Sequence, residues 1–134
     1  DDSGLCVDVL GGAPGLYSAR YAGPEGNAQA NIAKLLEALR GLPQNGRGAH
    51  FHASLVLLRH AEDPQPLIGE GRWYGHILDA PRGDAGFGYD PVFLDPQSGR
   101  SAAELEPQVK AERSHRGRAV SALRALIDAS GGLR

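Results

Sequence analysis

Three short motifs hold the residue types that could do chemistry in this chain, and they are spread along its whole length. They are Asp1-Asp2-Ser3-Gly4-Leu5, Gly86-Phe87-Gly88-Tyr89-Asp90-Pro91 and Ser114-His115-Arg116-Gly117. The first supplies carboxylates, the second an aromatic ring between glycines, and the third basic side chains. Together they predict a nucleotide site, which needs contacts for both a base and its phosphates.

The acidic pair could take part in metal-assisted hydrolysis. Neighbouring side chains of a strand point to opposite faces, so only one of Asp1 and Asp2 can line a given pocket. Oxygen ligands suit Mg²⁺, which takes one or two carboxylates and completes its shell with water and substrate phosphates. A carboxylate beside such an ion could also accept a proton from an attacking water. The alternative is a solvated strand end with a turn at Ser3-Gly4.

The glycine-rich motif could hold a flat ring. Its glycines let the backbone approach a ligand closely, and Phe87 could stack on a base. Pro91 restricts Asp90 to an extended backbone, and the Asp90 carboxylate could accept hydrogen bonds from a base edge. The alternative is a tight turn in which Phe87 and Tyr89 pack into the core.

The third motif begins the last helix of the chain, with Ser114 as its N-cap. Free backbone amides and the positive end of the helix dipole favour anions there, and Lys110 adds a nearby positive charge. The alternative is a helix cap followed by two exposed basic residues. His50 and His52 could share a strand face, but two histidines without a third ligand indicate solvated side chains rather than zinc.

Composition narrows the class of protein. The 134 residues fit a single domain, 1–134, that is long enough to bury a core. The 14 Lys and Arg against 16 Asp and Glu give a net charge of −2, so binding to a nucleic acid or an anionic membrane is not expected. The single cysteine, Cys6, fits a reducing cytoplasm, and no apolar run reaches the roughly 18 to 20 residues of a membrane span.

The elements that must position these motifs can be read from hydrophobic periodicity. Alternating Leu5, Val7 and Val9 predict a strand, and a helical stripe begins after the N-cap Asn27 and stops at Gly41. Residues 51–59 and 67–78 predict an antiparallel pair, 91–94 a short strand, and the stretch after 114 a last helix. We therefore expect an α/β fold with a mixed β-sheet flanked by helices.

In order and distance, these motifs resemble the inosine triphosphate pyrophosphatase family, also called dITP/XTP pyrophosphatases, and the bacterial branch in particular. The co-linear set also includes Gly11-Gly12-Ala13-Pro14-Gly15, Tyr17-Ser18-Ala19-Arg20-Tyr21 and Ala102-Ala103-Glu104-Leu105. The resemblance covers essentially the whole chain. It implies that the triphosphates ITP, dITP and XTP are hydrolysed to the monophosphate and pyrophosphate with Mg²⁺, which cleanses the nucleotide pool. It also implies a homodimer.

The resemblance implies a role for each matching residue. Asp2 is the implied proton acceptor and magnesium ligand, and Ser3 an implied substrate contact. The implied base-binding residues are Phe87, Gly88, Tyr89, Asp90, Lys110, His115 and Arg116.

The start of the chain departs from the family pattern. Family members carry a strand, a Ser/Thr-x-Asn-x-x-Lys loop that binds the triphosphate, and a metal-holding acidic residue upstream of the Asp-Asp-Ser-Gly motif. None of these is in residues 1–134, so we expect that an N-terminal strand and phosphate loop are missing and that this segment alone is weakly active or inactive. Two other interpretations are a Maf-type nucleotide pyrophosphatase, which lacks the pairing of the second and third motifs, and a purine nucleotide-binding module without hydrolysis.

Overall fold

A computed structural model of the chain describes residues 2–132, and it is built around one five-stranded sheet. The strands are β1 (Asp2–Val7), β2 (Gly48–Leu57), β3 (Leu67–Ile77), β4 (Phe93–Asp95) and β5 (Arg100–Ser101), and they lie in this order across the sheet. The helices are α1 (Ala28–Ala38), α2 (Pro107–Arg113) and α3 (His115–Ala129), with short 3-10 turns between elements. Asp1, whose side chain was expected to point away from that of Asp2, lies outside the described residues.

The α/β class with flanking helices is confirmed. All strand pairings within residues 2–132 are antiparallel, whereas a mixed sheet was expected. Each of these strands pairs with the next strand along the chain. The connection between β2 and β3, residues 58–66, is too short for the crossover that a parallel pair requires.

Helix α1 begins after its predicted N-cap and ends at Ala38, with Leu39 as its C-cap, two residues before the predicted stop at Gly41. The Asn27 side chain accepts a hydrogen bond from the Ala30 N–H at 3.0 Å, which satisfies one of the unpaired amides of the first turn. Its apolar stripe is buried through Ile32 and Leu35, and Leu39 at its C-cap is also buried. The helix therefore packs its buried stripe into the same core as Leu5 and Val7 of β1.

The core lies on one face of the sheet. Leu5, Phe51 and Trp73 are cross-strand partners on β1, β2 and β3, and all three are buried. Phe93 of β4, whose cross-strand partner is Ile77, packs against this row, with its ring centroid 4.4 Å from that of Phe51 and 5.0 Å from that of Trp73. This aromatic cluster forms the floor beneath the residues of the second and third motifs.

Helix α3 lies unusually close to β3 because glycines face it. A Cβ atom at Gly71 would collide with the backbone oxygen of His115 and the backbone nitrogen of Ala119. A side chain there would push the first turn of α3 away from the sheet, since packed interiors do not absorb extra atoms without strain. Gly71 thus fixes the height of His115 above the sheet.

No helix within residues 2–132 is both long enough and apolar enough to cross a membrane.

Candidate functional site

The second and third motifs meet at one cleft of about 440 Å³, which also includes the beginning of β1. The cleft-lining residues that the sequence predicted are Ser3, Phe87, Gly88, Tyr89, Asp90, His115 and Arg116. Lys110 reaches the same place through an ion pair with Asp90. The structure therefore gathers the predicted base-binding residues from the two distant motifs and α2 into one site.

Asp90 is the centre of the polar side of the cleft. It is only 4 % exposed, and its Oδ2 accepts hydrogen bonds from the Lys110 Nζ at 2.5 Å and the Phe87 N–H at 3.0 Å. Gly86 has φ = +77°, and a Cβ there would collide with this same oxygen. The glycine is thus needed both for the backbone turn and for the approach of the carboxylate. The result is a buried anion held between an amide and an ammonium group.

Phe87 presents a flat apolar surface next to these charges. Its side chain is 62 % exposed, although large apolar side chains are usually buried. The Lys110 Nζ lies 4.9 Å from the ring centroid and the Arg116 Cζ lies 5.5 Å from it. Both distances allow cation–π attraction, which orients the ring. An exposed ring with two cations next to it is suited to stack on an aromatic ligand that carries hydrogen-bond acceptors.

His115 forms part of the apolar wall rather than an exposed basic group. Its ring stacks on Phe51 with centroids 4.8 Å apart and an interplanar angle of 17°, and the residue is 7 % exposed. Burial, followed by the positive charge of Arg116, lowers the pKa of His115 to about 4. His115 is therefore neutral at pH 7.

The buried neutral imidazole predicts a dependence of stability on pH. Between the ordinary histidine pKa of about 6.5 and the lowered value of about 4, the unfolded chain binds a proton at this position while the folded chain does not. The contribution of the neutral His115 to the free energy of unfolding is thus fully present above pH 6.5 and is lost as the pH falls towards 4. We expect the free energy of unfolding to fall by about 3 kcal/mol over this range from His115 alone. Urea denaturation at pH 7 and pH 4 measures it.

Two variants separate this effect from the titration of carboxylates. His115→Gln should have a shallower pH dependence than the wild type, by the amount assigned to His115. His60→Gln should keep the full dependence, because His60 is exposed on the β2–β3 connection. Equal pH dependence in the wild type and His115→Gln would show that the imidazole is not held neutral in the folded state.

Tyr89 contributes to the wall through its side chain, and its hydroxyl is already engaged. The hydroxyl donates to the Ser18 backbone oxygen at 2.7 Å, and burial raises the pKa of Tyr89. The Ser18 hydroxyl accepts from the Leu5 N–H at 2.8 Å and donates to the Gly15 oxygen at 2.7 Å. This chain of hydrogen bonds joins the glycine-rich loop to β1 and to the 3-10 helix Gly15–Arg20.

Ser18 and Asn31 line the cleft but were not among the predicted site residues. The buried Asn31 side chain donates to the Ala19 oxygen at 3.0 Å and accepts from the Ala22 N–H at 2.7 Å. A sequence signal for it does exist, because Asn31 lies four residues before Leu35 on the buried stripe of α1. A polar residue in such a position must find partners.

Asp2 lies next to the cleft. It is exposed on β1 opposite Ser54, while Ser3 lines the cleft and Asp2 does not. Since alternate residues of a strand face opposite sides, the Asp2 side chain leaves β1 on the side opposite Ser3. The structure thus brings the base-binding candidates together and leaves the candidate proton acceptor beside them, at the strand end.

The metal-ligating side chains of the described residues restrict the kind of metal that could bind at Asp2. Within residues 2–132, no group of three or more His, Cys, Asp or Glu side chains is arranged to hold a metal ion. A tetrahedral zinc site needs several such ligands. Mg²⁺ needs only one or two carboxylates when water and phosphate oxygens supply the rest. The single exposed carboxylate of Asp2 therefore fits Mg²⁺.

Comparison with known proteins gives consistent matches over most of the chain. The sequence model of the Ham1 family matches residues 1–126. A dITP/XTP pyrophosphatase of Xanthomonas oryzae is 60 % identical over 129 residues, which are 96 % of this chain and 65 % of the relative. The Ham1 protein of Staphylococcus aureus superimposes with a TM-score of 0.89 at 38 % identity, covering 96 % of this chain and 65 % of the other. For a HAM1 protein of Coxiella burnetii the TM-score is 0.88 at 45 % identity, with 95 % and 64 % covered. The chain thus spans about two thirds of the length of these proteins.

Proposed function

The chain belongs to the Ham1 family, and from this premise we propose that the whole protein hydrolyses ITP, dITP and XTP to the nucleoside monophosphate and pyrophosphate. The name of the Xanthomonas relative, dITP/XTP pyrophosphatase, supports this substrate class. The observation that carries the proposal is the Lys110–Asp90 pair beside the exposed Phe87 ring. It offers a stacking surface together with a donor and an acceptor at one edge.

The base edge explains the selectivity. A 6-keto purine presents an acceptor at O6 and a donor at N1–H, whereas adenine presents a donor and an acceptor in these places. Lys110 or Arg116 donates to O6, and Asp90 accepts from N1–H. Adenine leaves these groups unpaired, and each unpaired group costs about 1–3 kcal/mol or more if it carries a charge. Hypoxanthine and xanthine are therefore preferred over adenine; guanine shares the same O6 and N1–H groups, so this edge alone does not distinguish it from them.

The reaction requires a water to attack the phosphate chain so that the bond between the α-phosphate and the pyrophosphate group breaks. Ser3, which lines the cleft and follows Asp2 in the chain, contacts the substrate. A nucleotide with its base beside Phe87 and its sugar beside Ser3 directs its phosphates past the start of β1, where the exposed carboxylate of Asp2 lies on the other face of the strand. Asp2 accepts the proton of the attacking water, and pyrophosphate leaves.

Magnesium is the cofactor that suits this arrangement. Asp2 is the described residue that would hold it, with the remaining ligands taken from water and the triphosphate. When bound, Mg²⁺ neutralises part of the phosphate charge and stabilises the leaving pyrophosphate. Ser3, Lys110 and Asp90 orient the nucleotide independently of the ion.

We also propose a cytoplasmic location and a homodimer. The single cysteine, which is free, supports a reducing compartment. The homodimer rests on the family resemblance. Light scattering of the whole protein measures its mass directly.

The test of the proposed function compares bases on one phosphate chain. With Mg²⁺ present, the intact protein is assayed for kcat/KM on ITP, XTP, GTP and ATP. We expect ITP and XTP to exceed ATP by on the order of 100-fold or more, because at least two polar groups lose their partners with adenine. Equal efficiency on ITP and ATP would contradict the proposal.

A further inference from the structure

Helix α2 carries Lys110 into the site, yet it has no buried residue. Apolar burial therefore contributes little to its position. Instead, Lys110 and Arg113, which lie three residues apart on the same side of the helix, pair with two buried carboxylates, Asp90 and Asp95. A close approach between the Ala111 backbone oxygen and Gly117 joins α2 to the start of α3.

Asp95 is held firmly from three sides. It is 1 % exposed; its Oδ1 accepts from the Trp73 Nε1–H at 3.3 Å, and its Oδ2 accepts from the Ser98 N–H at 3.2 Å and from the Arg113 guanidinium. Burial works to raise the pKa of Asp95, but hydrogen bonds from Ser98, Arg113 and Trp73 outweigh it and lower this pKa. Asp95 is therefore a fixed anion between the aromatic core and α2.

The two ion pairs of α2 differ in their position relative to the cleft. Asp90 lines the cleft, and Lys110 lies 4.9 Å from the exposed Phe87 ring, so a ligand can draw Lys110 away from Asp90. Neither Lys110 nor Arg113 lines the cleft itself, but Asp95, unlike Asp90, is not a cleft-lining residue, so the Arg113–Asp95 pair does not border the cleft. A ligand that engages Lys110 therefore need not contact the Arg113–Asp95 pair.

We propose that Arg113 is a positioning residue whose ion pair with Asp95 holds α2 in place, so that Lys110 can turn from Asp90 to the keto oxygen of a purine base. This inference rests on the proposed function of the cleft. Arg113 does not touch the base. It fixes the helix from which Lys110 acts, and base preference depends on it through Lys110.

The first test is Arg113→Met in the intact protein, with the kinetics of ITP and ATP as the readout. We expect KM for ITP to rise about tenfold and kcat to stay within a few-fold, because a misplaced Lys110 weakens ground state and transition state alike. The ratio of kcat/KM for ITP to that for ATP should fall about tenfold. Arg113→Lys should recover part of the loss. Arg124→Met, which removes an exposed arginine from α3, is the matched control and should change nothing.

Removing one partner of a buried ion pair also destabilises a protein. A second variant therefore distinguishes a loss of base preference caused by unfolding from one caused by a misplaced Lys110. In Asp95→Leu/Arg113→Met, apolar side chains meet instead and the unpaired buried charge of Arg113→Met is gone, at the cost of the acceptor for the Trp73 and Ser98 N–H groups, so the stability of both variants is measured in parallel. We expect this double variant to fold and to regain base preference relative to Arg113→Met, because the helix is anchored again. The indole N–H resonance of Trp73, the only tryptophan, reports whether its bond to Asp95 is kept in the wild type and in Arg113→Met.

Each outcome decides the matter. Unchanged base preference in folded Arg113→Met overturns the inference, even if its melting temperature falls. A stable double variant that still lacks base preference shows that the charge of Arg113 acts directly, which also overturns it. If the wild-type protein does not prefer ITP over ATP, the proposed function fails and this inference fails with it. Preference in the wild type, loss in the single variant and recovery in the double variant support it.

Discussion

Asp2→Asn is expected to lower kcat for ITP by roughly 10²- to 10⁴-fold, the usual contribution of a positioned general base. The amide keeps the size of the carboxylate but cannot accept the proton of the attacking water. KM should change only a few-fold, because Asp2 lies outside the cleft that holds the base. Steady-state kinetics of the intact protein with saturating Mg²⁺ separates the two constants.

The matched control is Asp8→Asn, which removes the same charge from an exposed position just after β1. It should leave kcat unchanged. Turnover of Asp2→Asn within a few-fold of the wild type would show that another group accepts the proton.

Lys110→Ala is expected to reduce the preference for ITP over ATP by about 10- to 100-fold. A hydrogen bond from a charged donor contributes about 1.5–3 kcal/mol, and this donor is specific for the keto oxygen. Asp90→Asn should also erode the preference, since an amide can turn its NH₂ group towards adenine N1. The measurement is kcat/KM for the two nucleotides under identical conditions.

Lys34→Ala is the control for Lys110, because Lys34 is the other lysine of the chain and lies on α1, where it donates to the Tyr21 oxygen at 2.8 Å. Its base preference should match that of the wild type. If Lys110→Ala loses activity equally on ITP and ATP, Lys110 supports the fold or the phosphates and does not read the base.

The parts of the fold that follow from local signals could be predicted from the sequence. Asn27 and Gly41 bracket α1, and the short connection between β2 and β3 defines an antiparallel pair. The strand at the start was predicted to reach Val9, but it ends at Val7. There the Val7 N–H donates to the Ala13 oxygen and the Gly12 N–H donates to the Val7 oxygen, both at 3.0 Å, which turns the chain back on itself. Such a turn depends on backbone partners that periodicity does not reveal.

The candidate site divides in a similar way. Phe87, Asp90 and Arg116 have residue types and neighbours that indicate recognition, and the structure places them around one cleft. The Arg113–Asp95 pair carries no such signal. Asp95 is the first residue of Asp95-Pro96-Gln97-Ser98-Gly99, a composition typical of a turn. Its burial results from the packing of β4 against Trp73 and α2. Partners that meet only in the folded chain cannot be found by spacing along it.

The most direct test of the account is the product analysis of ITP treated with the intact protein and Mg²⁺, by ³¹P NMR or ion-exchange chromatography. The account predicts that IMP and pyrophosphate form in equal amounts while ATP in a parallel reaction is consumed at least on the order of 100-fold more slowly. ITP that is bound but returned unchanged would identify a nucleotide-binding module. Release of IDP and phosphate, or equal consumption of ATP, would likewise contradict the account.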